Sequence, residues 1–429
     1  MRRGAGRSAA AVSAALAVLL VTGCTSPATA PTTSPSQLSG ALLWWDLSTQ
    51  TGARAAMASL VAGFEQANPG VTVTVVTIPP DEARGRFDTA AQTTSGAPDV
   101  ITLDSSWVAD FASRGYLARL DNTPAVDPVD DQFPNLAPTA TYDGRVVALP
   151  RSADGPALLY NVSLLKQAGV AVPHTWADLA AARLKLTAGG VQTFYATADA
   201  NGLLPWIYGE GGALVDPNAM TIEVSSPAAV AGLAQRVDLA ATGVAVDDST
   251  TGSVDAMRSA FRQGKVAMIL DNAAALPGLV GGSATGSLAS IGIAPVPAGS
   301  VTSSSPLSGT AYAVYAGSHN LPPAYALVHY LDSARSQVAL AARLGLLPTR
   351  TSAYADPTIS ADPVIAGFEP VVRTGTPLPQ LAGSAALLPP LGEALRRALV
   401  GDGSGQKILD TVASTYSRAW PDFTIGPAP

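Results

Sequence analysis

The sequence predicts an α/β fold in which β-strands alternate with α-helices around mostly parallel sheets. Short runs of β-branched and aromatic residues, such as "ALLWWD" and "VTVTVV", alternate with longer stretches whose apolar residues recur at helical spacing. The chain of 429 residues exceeds one typical domain, and 47% of its residues are hydrophobic while 13% are charged. We therefore expect more than one sizeable hydrophobic core.

In the first part of the folded chain, the sequence predicts a regular alternation of strands and helices. Residues 52–68 favour a helix because Met57, Leu60, Val61 and Phe64 recur at helical spacing. The other elements predicted here are strands at 41–46 and 71–76, a helix at 82–94, a turn and buried strand over 96–104, and a short helix at 107–114. Ligands of open α/β sheets bind at the carboxyl ends of strands, which is where Asp46 and Asp104 fall.

The second part repeats the alternation with less regularity. Predicted strands lie at 145–150, 157–161, 265–271, 291–299 and 309–317. Predicted helices lie at 163–168, 175–186, 227–241 and 254–263, and within 323–345 and 383–416. No internal repeat of solenoid period is present in the sequence.

The N-terminus predicts a lipoprotein signal. Arg2, Arg3 and Arg7 precede an apolar stretch at residues 9–21, and "VTGC" then ends at Cys24, which is the single cysteine of the chain. These four residues resemble a bacterial lipobox. We expect a signal peptide at 1–23 and a lipidated Cys24 that begins a flexible tether over 24–39. The alternative is an ordinary cleaved signal with a chance cysteine.

Composition excludes several other classes of function. The formal net charge is -7, without a basic stripe, which argues against a nucleic-acid partner. A single cysteine allows no intramolecular disulfide, and the three histidines, His174, His319 and His329, do not have a metal-ligand spacing. We expect no metal and no cofactor. Neither GxSxG nor HExxH occurs in the chain.

The order of several short motifs resembles the bacterial extracellular solute-binding proteins of carbohydrate ABC transporters, of the maltose-binding type. The segments that carry this resemblance are "FEQANPGVTVTV", "FDTAAQTTSGAPDVITLDSSWVADFASRGYLARLD", "YDGRVVALPRSADGPALLYNVSLLKQAGV", "PHTWADL", "FRQGKVAMILD" and "LGLLPTR". "TAAQTTSGAPDV" is similar to actinobacterial members that take up α-glucosides, so maltose, maltodextrin or trehalose is the expected ligand.

The resemblance implies a two-lobed fold of the periplasmic-binding-protein type, with a central cleft and a hinge of two or three crossing segments. It places the crossings near 149–152, 294–297 and 331–333. Lobe one would comprise residues 40–149 and 296–332, and lobe two residues 150–295 and 333–425. The protein would be a monomer, anchored by lipid to the outer face of the cell membrane, that delivers a carbohydrate to the membrane permease of an ABC transporter.

A sugar cleft needs aromatic rings for the C–H faces of the sugar and polar groups for its hydroxyls. The resemblance and the strand ends together predict a set of ligand-binding residues and no catalytic residue. The set is Trp45, Asp46, Gln50, Asp104, Ser105, Trp107, Arg151, Asp154, Asp199, Asn201, Trp206, Tyr208, Asp271, Asn272, Gly309, Thr310 and Arg350.

Three alternatives stay open at this point. The same fold could bind glycerol 3-phosphate, a glycerophosphodiester or a polyol, and Arg151 and Arg350 are the basic candidates for a phosphate. A secreted glycoside hydrolase could use Asp104 and Asp154 as paired carboxylates. A structural or adhesive surface lipoprotein is the third alternative, and the polar residues at the strand ends argue against it.

Overall fold

The computed structural model describes residues 38–126, 131–246 and 253–426. The predicted signal peptide, Cys24 and nearly all of the predicted tether lie outside these residues. Within the described ranges, no helix has both the length and the apolar composition that crossing a membrane requires.

The described chain alternates strands and helices from its beginning. The strands are β1 (Gly40–Asp46), β2 (Val71–Thr77), β3 (Val100–Asp104), β4 (Thr141–Tyr142), β5 (Arg145–Val146), β6 (Leu149–Asp154), β7 (Ala157–Asn161), β8 (Gln192–Tyr195), β9 (Val215–Asp216), β10 (Thr221–Ile222), β11 (Val266–Asp271), β12 (Ile291–Ala294), β13 (Pro306–Val314), β14 (Thr376–Pro377) and β15 (Thr424–Ile425).

The α-helices are α1 (Ala53–Ala67), α2 (Pro80–Thr93), α3 (Val108–Ser113), α4 (Val162–Ala168), α5 (Trp176–Thr187), α6 (Leu204–Gly209), α7 (Pro227–Ala241), α8 (Val254–Arg262), α9 (Leu276–Leu279), α10 (Leu321–Asp332), α11 (Ala334–Leu344), α12 (Thr351–Tyr354), α13 (Pro357–Ser360), α14 (Pro363–Thr374), α15 (Leu388–Leu399) and α16 (Gly405–Ala419). Short 3-10 helices occupy Ser105–Trp107, Pro134–Ala140, Ala273–Ala275, Leu288–Ser290 and Ser384–Ala386.

Two larger sheets organise these elements. The first has the order β14-β13-β3-β1-β2, with β6 also paired to β13, and the second has the order β12-β7-β11-β8. In the first sheet β1 runs parallel to β2 and β3, but β13 is antiparallel to β3 and β6. In the second sheet only the pairing of β8 with β11 is parallel.

Both larger sheets are therefore mixed. Three of the five pairings in the first sheet are parallel, including β13 with β14, so the expectation of mostly parallel pairing holds there and fails for the second sheet. The physical reason lies in how the chain passes between them. It leaves the first sheet at Asp154 and enters the second at Ala157, across a link of two residues. After β12 the chain returns to the first sheet as β13. Within the described residues no crossover helix lies between β12 and β13, and β13 is antiparallel to β3. The predicted division of the chain into lobes stays a prediction.

Alternation within a strand determines which face each side chain takes. Trp44 and Trp45 are neighbours on β1 and enter different hydrophobic clusters on the two faces of the first sheet. Trp44 is fully buried, packs edge-on against Tyr312 with 6.0 Å between ring centroids, and donates its indole N–H to Thr102. The first sheet is thus covered on both faces, as a sheet in an α/β fold must be.

Candidate functional site

Two aspartates end the two strands that flank β13 in the first sheet. Asp104 is the last residue of β3 and Asp154 the last residue of β6, and both strands pair with β13. In that register Asp104 lies opposite Thr310, and Asp154 lies opposite Ser308. The strip between the two carboxylates is therefore formed by three consecutive residues of β13.

Gly309 lies at the centre of this strip for a steric reason. Its φ is +151°, and a Cβ placed on it would lie 1.9 Å from the carbonyl oxygen of Ser152 on β6. Only glycine lets the two backbones approach so closely. The close approach of Gly309 to the backbone of β6 is observed. Its predicted role, which is to bring the backbone close to a ligand, stays a prediction.

The second sheet contributes an amide to the same place. Asn272 follows β11 directly, and its Nδ2 donates to Oδ2 of Asp154 over 3.0 Å. Asp154 also accepts the backbone N–H of Gly155 over 3.0 Å. Burial raises the pKa of Asp154 to about 6, the two hydrogen bonds oppose this rise, and the negative charges of Asp271 and Asp104 add to it. Asp271 and Asp104 are thus close enough to Asp154 to affect its ionisation.

Asp104 and Asp154 each accept two hydrogen bonds, but Asp104 accepts both at one oxygen. Its Oδ1 accepts from the backbone N–H of Ser106 over 2.8 Å and from the hydroxyl of Ser106 over 2.6 Å. Among the residues that the structure describes, no donor reaches its Oδ2, and neither Asp104 nor Asp154 forms an ion pair. Since a carboxylate can accept about four hydrogen bonds, both groups retain acceptor sites.

Asp46, the last residue of β1, is engaged by internal contacts. Asp46 is fully buried and accepts from the hydroxyl of Thr102 over 3.1 Å and from the backbone N–H of Ser48 over 3.0 Å. Arg151, which is 3% exposed, lies 3.6 Å from Asp46 and donates to the hydroxyls of Ser48 and Tyr312 over 2.7 and 3.1 Å. Asp46 and Arg151 are therefore internal braces of the first sheet, and their predicted role as ligand contacts stays a prediction.

Three predicted aromatic contacts are core residues. Trp45 is 7% exposed and packs in the cluster beneath α2, with the guanidinium of Arg86 5.7 Å from its ring centroid. Trp206 is fully buried and stacks on Trp176 with 4.1 Å between centroids. Tyr208 is 4% exposed, and burial raises the pKa of its hydroxyl. All three rings pack within hydrophobic clusters, and their predicted stacking role stays a prediction.

Arg350 is also a brace. It is 5% exposed, and its Nη2 lies 2.6 Å from Oδ2 of Asp332, while Nε donates to the backbone carbonyl of Asp332 over 2.7 Å. It pairs with the carboxylate of Asp131 as well. These contacts join α10, the segment before α12 and the chain at Asp131, and the predicted role of Arg350 as a ligand contact stays a prediction.

The remaining predicted residues lie in mixed surroundings. Asp199 is half-buried and accepts from Thr197 over 2.9 Å and from the backbone N–H of Gly202 over 2.8 Å. Gln50 and Asn201 are exposed, Ser105 and Asp271 are buried, and Trp107, Asn272 and Thr310 are half-buried. Thr310 shares a hydrogen bond of 2.8 Å with Ser152. The structure thus brings together Asp104, Asp154, Asp271, Asn272, Gly309 and Thr310.

Sequence reasoning missed a contact beside Asp104. The backbone N–H of Gly383 donates to Oδ1 of Asp110 over 2.7 Å, and the hydroxyl of Ser384 donates to the backbone carbonyl of Ser106 over 3.0 Å. Arg84 pairs with the same aspartate. Asp110 lies within a short helix and Gly383 in an irregular segment, so no local pattern could have connected residues 273 positions apart.

A groove of about 910 Å³ lies elsewhere, along the β4–β5 hairpin and residues 376–381. Of the predicted ligand-binding residues only Tyr208 lines it. No group of three or more histidine, cysteine, aspartate or glutamate side chains suited to a metal occurs among the described residues.

Comparison with known proteins identifies the class. The family model described as "Bacterial extracellular solute-binding protein" matches residues 59–367. The chain belongs to this family, whose members are extracellular binding proteins rather than enzymes.

Individual relatives refine the comparison. A "Probable ABC transporter-binding protein" of Deinococcus radiodurans is 31% identical over 278 residues, which cover 60% of this chain and 64% of that protein. The match therefore spans somewhat less than two thirds of the relative. A "Mannitol-binding protein" of Pseudomonas aeruginosa is 30% identical over 125 residues, which cover 28% of this chain and 29% of that protein.

Among solved structures, the GacH receptor of Streptomyces glaucescens, determined unliganded and with acarbose and an acarbose homolog, is 38% identical. Its TM-score is 0.76, and the match covers 90% of this chain and 100% of that one. The sugar-binding protein MalE of Xanthomonas citri has a TM-score of 0.80 at 21% identity, covering 89% and 99% of the two chains, and shows the fold alone. The two-lobed fold of the periplasmic-binding-protein type is thus confirmed.

Proposed function

We propose that the protein is the substrate-binding component of an ABC sugar importer and captures a neutral di- or oligosaccharide between its two lobes. The observation that carries this proposal is the unused acceptor capacity of Asp104 and Asp154, at two strand ends beside the amide of Asn272. Sugar hydroxyls are donors, and charged acceptors bind them more strongly than neutral ones do. An α-glucoside is our preferred class, and the acarbose complexes of the GacH receptor support an oligosaccharide of this kind.

The buried arginines favour a neutral sugar over a phosphate ester. Arg151 and Arg350 were the basic candidates for recognising glycerol 3-phosphate or a glycerophosphodiester. Both are at most 5% exposed and are engaged by Asp46 and by Asp332 and Asp131. A phosphate at the strand ends would instead meet Asp104 and Asp154, whose charge repels it.

We further propose that Cys24 carries the lipid that holds the protein at the outer face of the cell membrane, beside its permease. The support is the lipobox-like "VTGC" after an apolar stretch. The variant Cys24→Ser of the full chain should move from the membrane fraction to the soluble or secreted fraction. Retention of this variant in the membrane fraction would contradict lipid anchoring.

The sugar proposal is tested with residues 25–429 and thermal unfolding in the presence of maltose, maltotriose, trehalose, acarbose, mannitol and glycerophosphocholine. A ligand at about 1,000 times its dissociation constant stabilises the native state by about 4 kcal/mol, which shifts the melting temperature by several degrees. Asp154→Asn should reduce this shift, and Asp88→Asn, at a half-buried aspartate of α2 outside the predicted site, serves as the control. A shift with glycerophosphocholine alone, or with none of the sugars, would refute the sugar proposal.

A further inference from the structure

An arginine outside the predicted site forms a paired contact with one of its aspartates. Arg258 lies on α8, and its Nε and Nη2 donate to the two carboxylate oxygens of Asp271 over 2.7 and 2.9 Å. The Asp271 side chain is 6% exposed and that of Arg258 is 35% exposed. This two-pronged geometry fixes the orientation of the carboxylate as well as compensating its charge.

The contact continues from Asp271 toward the first sheet. Oδ1 of Asp271, which already accepts from Arg258, also accepts the backbone N–H of Asn272 over 3.0 Å. The side chain of Asn272 then donates to Asp154 over 3.0 Å. Asp271 lies opposite Ala157 in the pairing of β11 with β7, three residues after Asp154, so the register holds the two ends of this chain of contacts together.

The charges around Asp154 indicate that the Arg258–Asp271 ion pair affects the ionisation of Asp154. The groups that face it with a charge are Asp271 on β11 and Asp104 on β3, and both raise its pKa. The residues opposite it on β13, Ser308 and Gly309, carry no charge. Arg258 is the cation paired with Asp271 among the described residues. Its removal would leave an uncompensated negative charge next to Asp154.

We propose that Arg258 is a positioning residue for ligand binding at Asp154: it neutralises Asp271 and orients Asn272, which keeps the Asp154 carboxylate charged and directed as a hydroxyl acceptor. This inference rests on the proposed function, because it assigns to Asp154 the binding of a sugar hydroxyl. Arg258 itself contacts no ligand in this account.

The first test needs no ligand. In protein labelled with ¹³C at the aspartate carboxyls, the Asp154 signal is assigned by its loss in Asp154→Asn, and its titration midpoint is measured. Arg258→Gln should raise the midpoint by about one pH unit, because a nearby like charge disfavours ionisation. Adding Asp271→Asn to Arg258→Gln removes that charge and should return the midpoint to the original value or below. Arg262→Gln, at the end of the same helix, is the matched control and should leave it unchanged.

The second test measures maltotriose affinity of the same variants by calorimetry between pH 5 and pH 8. Arg258→Gln should weaken binding about threefold or more at pH 6.5, and less at pH 8, where Asp154 is ionised again. The double variant distinguishes an electrostatic role from lost packing, since a packing defect would persist in it. A midpoint that does not move in Arg258→Gln, or an affinity that does not follow it, would overturn the role of Arg258. Failure of the unmodified protein to bind any sugar of the panel would refute the proposed function instead, while the titration still decides the electrostatic part.

Discussion

Replacing Arg350 with methionine should destabilise the fold while leaving the strand-end carboxylates intact. The Arg350 side chain is 6% exposed and that of Asp332 is 3% exposed, with 2.6 Å between Nη2 and Oδ2. Methionine fills a similar volume but leaves the Asp332 carboxylate buried without its cation. Breaking a buried ion pair in this way costs about 3–5 kcal/mol.

The structure places the expected cost near the lower end of this range. Gln132 and Gln337 still donate to Oδ1 of Asp332 over 2.9 and 3.1 Å, so the carboxylate keeps neutral hydrogen-bond partners. We expect a loss of about 3 kcal/mol in the free energy of unfolding at pH 7.5. Burial raises the pKa of Asp332 and Arg350 lowers it, so the variant raises it further. A group whose folded pKa is raised favours the folded state at low pH, and the loss should therefore shrink at pH 5.

The assay is equilibrium unfolding in urea at both pH values. Asp332→Asn combined with Arg350→Met should recover part of the lost stability at pH 7.5, because the more deeply buried of the two carboxylates that pair with Arg350 then carries no charge. Arg373→Met, which removes an exposed pair with Glu369, should cost less than about 0.5 kcal/mol and is the control. A loss below about 1 kcal/mol for Arg350→Met, or one that is equal at pH 5 and pH 7.5, would refute this reasoning.

Three further predictions follow from the site and the core. Sugar affinity should fall about tenfold from pH 7.5 to pH 4.5, as Asp154 with its pKa of about 6 takes up a proton and loses its charge, and calorimetry should show no such fall in Asp154→Asn. Asp110→Ala removes the acceptor for the backbone N–H of Gly383. Stopped-flow measurements should then show that bound sugar dissociates about five- to tenfold faster, to a similar extent for every sugar. Trp206→Ala should lower the free energy of unfolding by about 3–5 kcal/mol, because Trp206 is fully buried. Trp107→Ala should weaken sugar binding with a smaller change in melting temperature. The reverse pattern would mean that Trp206 contacts the sugar and Trp107 stabilises the core.

Much of the fold could be predicted because its elements carry local signals. The helix predicted at 227–241 is observed as Pro227–Ala241, with Ser226 as its N-cap, and the strand predicted at 157–161 is observed as Ala157–Asn161. By contrast, α6 was not predicted, because all of its residues from Leu204 to Gly209 are buried and no amphipathic period marks it. The strand direction of the second sheet was also missed, since pairing depends on how the chain returns between sheets rather than on any one segment.

The site was less predictable because residue type does not reveal exposure. Asp154 and Asp332 are both aspartates at or near the end of an element, yet only Asp332 has an arginine partner 18 positions along the chain. Likewise, Trp107 is half-buried, whereas Trp206 lies fully within the core against Trp176. These distinctions depend on contacts between distant segments. A sequence read by itself can propose the chemical groups of a sugar site, but it cannot separate ligand contacts from internal braces.

Once the structure is known, the number of donors that each carboxylate accepts from distinguishes candidate ligand contacts from internal braces. Asp46 and Asp332 have arginine partners together with further donors, so their carboxylates are occupied and serve the scaffold. Asp104 and Asp154 have two donors each and no ion pair among the described residues, which leaves acceptor sites at two strand ends. Burial disfavours the charged form of the half-buried Asp154 carboxylate and raises its pKa, so the ionised group carries a free-energy cost in the absence of a ligand. Ligand hydroxyls can relieve that cost, so the same feature that weakens the empty fold provides affinity, and the bound sugar should lower the pKa of Asp154.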